Sequence, residues 1–198
     1  MSVKSEIESA EQLGAQLEEL VVRKGQCPTG DRETLLIGYW SLIFDFHKGI
    51  LSLLSTEFYG SAFALVRPVV EVVLRSHLAV MGTDDEVKKL YSDDYKVNFK
   101  DLAPRIDKEF GLNGLLERIM DKARRVLHSY THGGVSQLGR RFKGNDLRPN
   151  YSDDEIIEVV RSTTSMVWMV NNLVTKRFQF EDEWKASNEL FNAWGKRK

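Results

Sequence analysis

The sequence predicts an all-α fold, a single up-and-down helical bundle with a kinked central helix and a long glycine-rich basic loop. Three observations carry this. Turn-makers are scarce, with 14 glycines and 4 prolines in 198 residues, too few for a sandwich or barrel of many short strands. Apolar residues recur at spacings of three and four rather than two, the helical period. Two capping boxes, Thr83-Asp84-Asp85-Glu86 and Ser152-Asp153-Asp154-Glu155, mark helix starts in which side chain and backbone satisfy each other. The length suits one domain over 1–198, with an N-terminal helix and loop over 1–30, a core over 31–178 and a docking helix over 179–198.

From Ser5 to Lys24, Ile7, Leu13, Leu17, Leu20 and Val21 draw one helical stripe, which the run Gly25 to Gly30 breaks. Asp31 is placed to cap the next helix, expected to reach about Glu57. Its polar stripe passes through Gly38, Ser41, Asp45, Lys48 and Ser52, so Asp45 and His47 are expected in solvent or at its rim. A third helix spans Tyr59 to Met81, with Pro68 as the source of the kink. Shorter helices follow at Asn98 to Phe110, which contains Pro104, and at Asn113 to Tyr130, ended by Gly133 and Gly134. Gly133 to Tyr151 shows no apolar period and holds four glycines and Pro149, the mark of a loop that is either functional or disordered. The second capping box then opens a helix to about Phe178, and the last helix runs from Asp182 to Trp194.

Composition narrows the function classes. Hydrophobic residues at 42% and charged residues at 29% fit a soluble globular protein and exclude general disorder. Cys27 is the single cysteine, so no internal disulfide can form and a reducing, cytoplasmic setting is expected. Four histidines and one cysteine supply no zinc-finger scaffold. The acidic start MSVKSEIESAEQ is unlike a secretory signal. The longest apolar stretch, Ala62 to Val80, is interrupted by Arg67, Glu71, Arg75 and His77. Such charges cost about 2.5–3.5 kcal/mol each in a membrane, so no transmembrane segment and no membrane partner are expected. The formal charge is −1, yet eight Lys and Arg stand against three carboxylates between Glu117 and Arg148. That local excess suits a polyanion such as RNA.

Two places can carry chemistry. Arg67, Glu71 and Arg75 recur every fourth residue on the otherwise apolar third helix, forming one charged stripe. It reads either as a structural ion-pair ladder fixing helix register or as a polar wall between helices. Glu71→Ala is expected to cost several kcal/mol, as does breaking one side of a buried ion pair, about 3–5 kcal/mol. The second place is ARRVLHSYTHGG, residues 123 to 134. Arg124, Arg125, His128 and His132 cluster on the last turns of one helix, and arginine beside histidine suits phosphate chemistry. A histidine takes a proton from a 2′-hydroxyl or gives one to a leaving oxygen, while a guanidinium clamps the phosphate. Arg140, Arg141 and Lys143 in the following loop would contact the strand. The plainer reading is a helix C-terminus whose dipole favours a cation. His128 and His132 also have the spacing of two metal ligands, but His-Glu-x-x-His is not present and a third ligand such as Glu71 would have to come from another helix.

Arg125 followed after six residues by His132 resembles the Arg-x(4–6)-His signature of HEPN-domain proteins. The segments ALVRPVVE and LHSYTHGG also resemble bacterial abortive-infection-type helical proteins of that superfamily. The resemblance, spanning about Ser41 to Val174, implies a helical bundle that forms a homodimer, pairs two Arg/His motifs and cuts RNA without metal or cofactor. It implies Arg125 as phosphate clamp and His132 as general acid/base, a toxin or phage-defence role, and a protein partner such as an antitoxin. Members without activity imply a second reading, a helical module that binds a protein or a nucleotide.

Overall fold

The computed structural model describes residues 2–25, 28–96, 98–111, 113–114, 116–118 and 129–197. The described chain is predominantly helical. It comprises α1 (Val3–Val22), α2 (Asp31–Ser55), α3 (Tyr59–Met81), α4 (Asp84–Tyr91) and α5 (Phe99–Phe110). After them come a short α6 (Val135–Gly139), a hairpin of β1 (Phe142–Lys143) and β2 (Asp146–Leu147), α7 (Asp153–Arg177) and α8 (Glu181–Gly195).

Both capping boxes form where the sequence places them, with Thr83 and Glu86 heading α4 and Ser152 and Glu155 heading α7. Asp31 does not cap α2; Gly30 is the N-cap and makes no side-chain bond, so Asp31 becomes the first helical residue. There its charge still favours the positive end of the helix dipole. α3 continues through Pro68 as one helix, although proline cannot donate to the Ala64 carbonyl one turn earlier.

Among the described residues, α2 and α3 make the most extensive pairing. α7 packs across both of them and against α1, and α8 closes over α7 and α1. α4 packs on α2 and α3, and α5 on α3. The packing follows apolar periods: α2 buries Leu36, Trp40, Ile43, His47, Ile50 and Leu54, a run of alternating four and three. His47 lies on that period, so it is 1% exposed in the core, not at the polar rim where the sequence reading put it. Asp45, two residues earlier, is exposed.

Polar bonds tie the layers together. Buried Glu6 on α1 accepts from Arg161 on α7, with Nε–Oε1 at 2.8 Å. Trp40 Nε1 donates to Asn171 Oδ1 at 3.0 Å, and Trp194 Nε1 donates to Ser9 Oγ at 2.8 Å. Buried Asp107 accepts the backbone N–H groups of Leu116 and Glu117 at 3.0 and 2.9 Å, an N-terminal cap supplied from a distant residue.

Candidate functional site

Four-residue spacing on α3 aligns more than the charges. Tyr59, Phe63, Arg67, Glu71 and Arg75 follow one another in a row in which each step is a neighbour of the last but turns about 40° further round the helix. The aromatic end of this row holds the rest of the site. Phe63 packs on Tyr130 with ring centroids 5.5 Å apart and on Tyr151 at 4.9 Å. Tyr59 meets Tyr151 at 5.5 Å. The helical turn ending at Thr131 is therefore fixed to α3 one turn before Arg67, and His132 follows it, exposed to solvent.

Within the charged part, Arg67 Nε donates to Glu71 Oε1 at 3.0 Å, and the two side chains are 24% and 32% exposed. This corrects the expectation of a buried ladder. A half-exposed i,i+4 pair contributes about 0.3–0.5 kcal/mol, so Glu71→Ala loses far less than a buried pair would. Arg75 turns away, donating to the Tyr95 carbonyl at 3.3 Å with Asp93 at 3.9 Å. The three residues thus form one pair and one separate tether rather than a continuous ladder.

The segment after His132 is more ordered than a structureless loop. Gly133 takes a left-handed φ of 64°, which lets the chain leave the helix and enter α6. Gln137 on α6 donates its Nε2 to the Gly60 carbonyl at 3.0 Å. A methyl group on Gly60 would lie 3.1 Å from Arg141 Nη2, 3.4 Å from the Tyr151 hydroxyl and 3.5 Å from Gln137 Nε2. Glycine at this position lets the segment seat closely against α3, and a larger side chain would have to displace the Arg141 guanidinium.

Arg140 is committed locally: both its terminal nitrogens bond Glu155, and its guanidinium lies 5.7 Å from the Tyr151 ring centroid. Burial works to raise the Glu155 pKa, but the Ser152 N–H and Arg140 outweigh it and hold the carboxylate below its ordinary range. Burial pushes the Tyr151 phenol up to about 12, with Tyr130 reinforcing the shift. Its hydroxyl has no hydrogen-bond partner of normal geometry. Arg141 reaches toward Gly60, and exposed Lys143 sits on β1.

Arg124, Arg125 and His128 lie outside the described residues. Of the candidate residues, the structure brings Arg67 and Glu71 together and gathers Arg140 and Arg141 around the Tyr151 and Gly60 junction. Glu71, the suggested third metal ligand, gives an oxygen to Arg67. Among the described residues no three His, Cys, Asp or Glu side chains are grouped to hold a metal ion. The organising residues that sequence reasoning missed are Phe63, Tyr130, Tyr151, Gln137 and Glu155. The extension of the charged spacing back to Phe63 and Tyr59 was the signal for two of the contacts. No helix of the described chain is long and apolar enough to cross a membrane.

Residues 40–191 match a family of unknown function, DUF6988. No curated protein and no solved structure matches the chain.

Proposed function

We propose that this chain, which belongs to the DUF6988 family, is a HEPN-like, metal-independent RNA endonuclease of the toxin or phage-defence type. In this reading its helices form an up-and-down bundle with a kinked central helix and a long glycine-rich basic loop. The observation that supports it best is the docking of the His132 turn. Phe63 holds Tyr130, so two residues further on an exposed imidazole stands at the root of a basic segment.

Arg125 and Arg124 bind the scissile phosphate, and the Arg125 guanidinium offsets charge growing on its oxygens. His132 takes the proton from the 2′-hydroxyl as that oxygen bonds to phosphorus. The bond from phosphorus to the 5′ oxygen breaks, and this leaving oxygen receives a proton, with His128, four residues earlier in the sequence, as the donor. The products are a 2′,3′-cyclic phosphate and a free 5′-hydroxyl. Arg67, Glu71 and Arg75 form the surrounding substrate surface, beside the root of the basic arm.

The test is cleavage of a defined RNA in the presence of a chelator. His132→Ala should lower the rate about 10²–10⁴-fold with unchanged thermal stability, and the wild type should leave a cyclic phosphate end. A wild type that cuts no RNA, or an equally active His132→Ala, overturns the ribonuclease reading. The second reading is a non-catalytic module that binds a protein. The exposed apolar side chains on the segment after His132 favour it, since such residues add nothing to proton transfer.

A further inference from the structure

Among the described residues eight large apolar side chains are exposed, and while Val22, Leu42, Phe58 and Tyr91 are scattered over the rest of the chain, the other four share one short arm. Val135, Leu138, Phe142 and Leu147 are 83, 60, 45 and 77% exposed, all on the arm formed by α6 and the hairpin. Arg140, Arg141, Lys143 and Arg148 are interspersed with them, against the single carboxylate of Asp146. The arm is a basic, apolar projection with a fixed root, because Gln137 bonds the Gly60 carbonyl and Arg140 bonds Glu155.

Next to that root lies a surface of opposite character. An open cleft of about 620 Å³ runs between the start of α1 and the turn from α2 to α3. Ile7, Leu54 and Tyr59 give it apolar walls. Glu8, Glu11 and Glu57 supply three carboxylates, against the one ammonium of Lys4. Tyr59 belongs to the cleft and also touches Tyr151 at the arm root, and exposed Phe58 precedes it.

We infer that the arm of one copy seats in the acid-edged cleft of a second copy, and the reverse, in a two-fold symmetric dimer. The chemistry matches on both counts, apolar against apolar and cation against carboxylate. Adjacency supplies the geometry: when two complementary patches lie side by side, one two-fold operation satisfies both and closes the assembly. An RNA strand would use the cations yet leave Val135 and Leu147 uncovered. An anionic lipid surface would attract the arm but be repelled by the three glutamates beside it. A second copy covers the apolar residues and neutralises both charges.

Sedimentation velocity on the full chain from about 5 to 100 µM reads the association directly. A dimer is expected whose dissociation constant rises about tenfold or more in Phe142→Ser with Leu147→Ser. The same rise is expected in Glu8→Lys with Glu11→Lys. Adding Arg141→Glu and Lys143→Glu to the glutamate variant should restore association to within about threefold of wild type. All these positions are at the surface, and circular dichroism verifies the fold. A chain that stays monomeric, a dimer indifferent to both pairs of substitutions, or reversal without rescue overturns the interface. So does arm-dependent binding to phosphatidylglycerol vesicles with no arm-dependent dimer. Mass is the readout, so a dimer of this kind that cuts no RNA overturns only the ribonuclease reading.

Discussion

His47 and His77 show how single residues set the pH response of the fold. Both are almost fully buried, and burial holds each pKa down to about 4, from an ordinary 6.5. His77 Nδ1 donates to the Val73 carbonyl at 2.7 Å, while His47 Nδ1 has no partner. Between those two pKa values the unfolded chain binds a proton that the native state refuses. Stability therefore rises with pH through this window, is full above about 6.5, and is lost as pH falls toward 4. The slope is about 1.4 kcal/mol per pH unit for each histidine. Urea midpoints measured from pH 5 to 6.5, above the range of ordinary carboxylates, should rise steadily in the wild type. His47→Gln should remove about half of that rise, and an unchanged slope would place His47 in water.

At the scale of elements, the junction between α3 and the arm depends on a missing side chain. Gly60→Val places methyl groups where Arg141, Tyr151 and Gln137 now converge. Losing about 1–2 kcal/mol of docking multiplies the opened population about 5–30-fold. Limited trypsin digestion after Arg141 and Lys143 should accelerate accordingly, whereas an unaltered rate would show that the arm does not rest on Gly60. This junction also marks where sequence reading stops. α3 was legible from Tyr59 to Met81 because its apolar period and flanking signals agree, and the boxes at Thr83 and Ser152 are local chemistry. His47 was misread because a polar residue on an apolar period looks like the neighbouring polar stripe. Glu71 looked buried because the helix around it is apolar, yet exposure depends on which neighbours cover that face. The Phe63, Tyr130 and Tyr151 cluster joins three distant segments; spacing on α3 marks Phe63, but which distant rings meet it is not written in local spacing.

For the molecule as a whole, α8 decides whether the helices form one cooperative unit. Trp194 is 7% exposed and bonds Ser9 on α1, while Asn171 on α7 bonds both Trp40 on α2 and Ser187 on α8. α8 thus links the first helix to the last long one. Trp194→Ala should destabilise the chain by about 3–5 kcal/mol, read as a lower urea midpoint for a single transition. A loss below about 1 kcal/mol, or a split transition, would make α8 an independent appendage.

The same arrangement gives the protein an internal optical probe. Trp168 stacks on Phe191 with ring centroids 4.2 Å apart and planes 8° from parallel, and Lys176 sits 5.0 Å over Trp184. Both indoles, with Trp194, lie along the seam between α8 and its neighbours. Any partial detachment of the C-terminal helix must therefore move their emission to longer wavelength before the main helical signal falls, so unlabelled protein reports its own fraying.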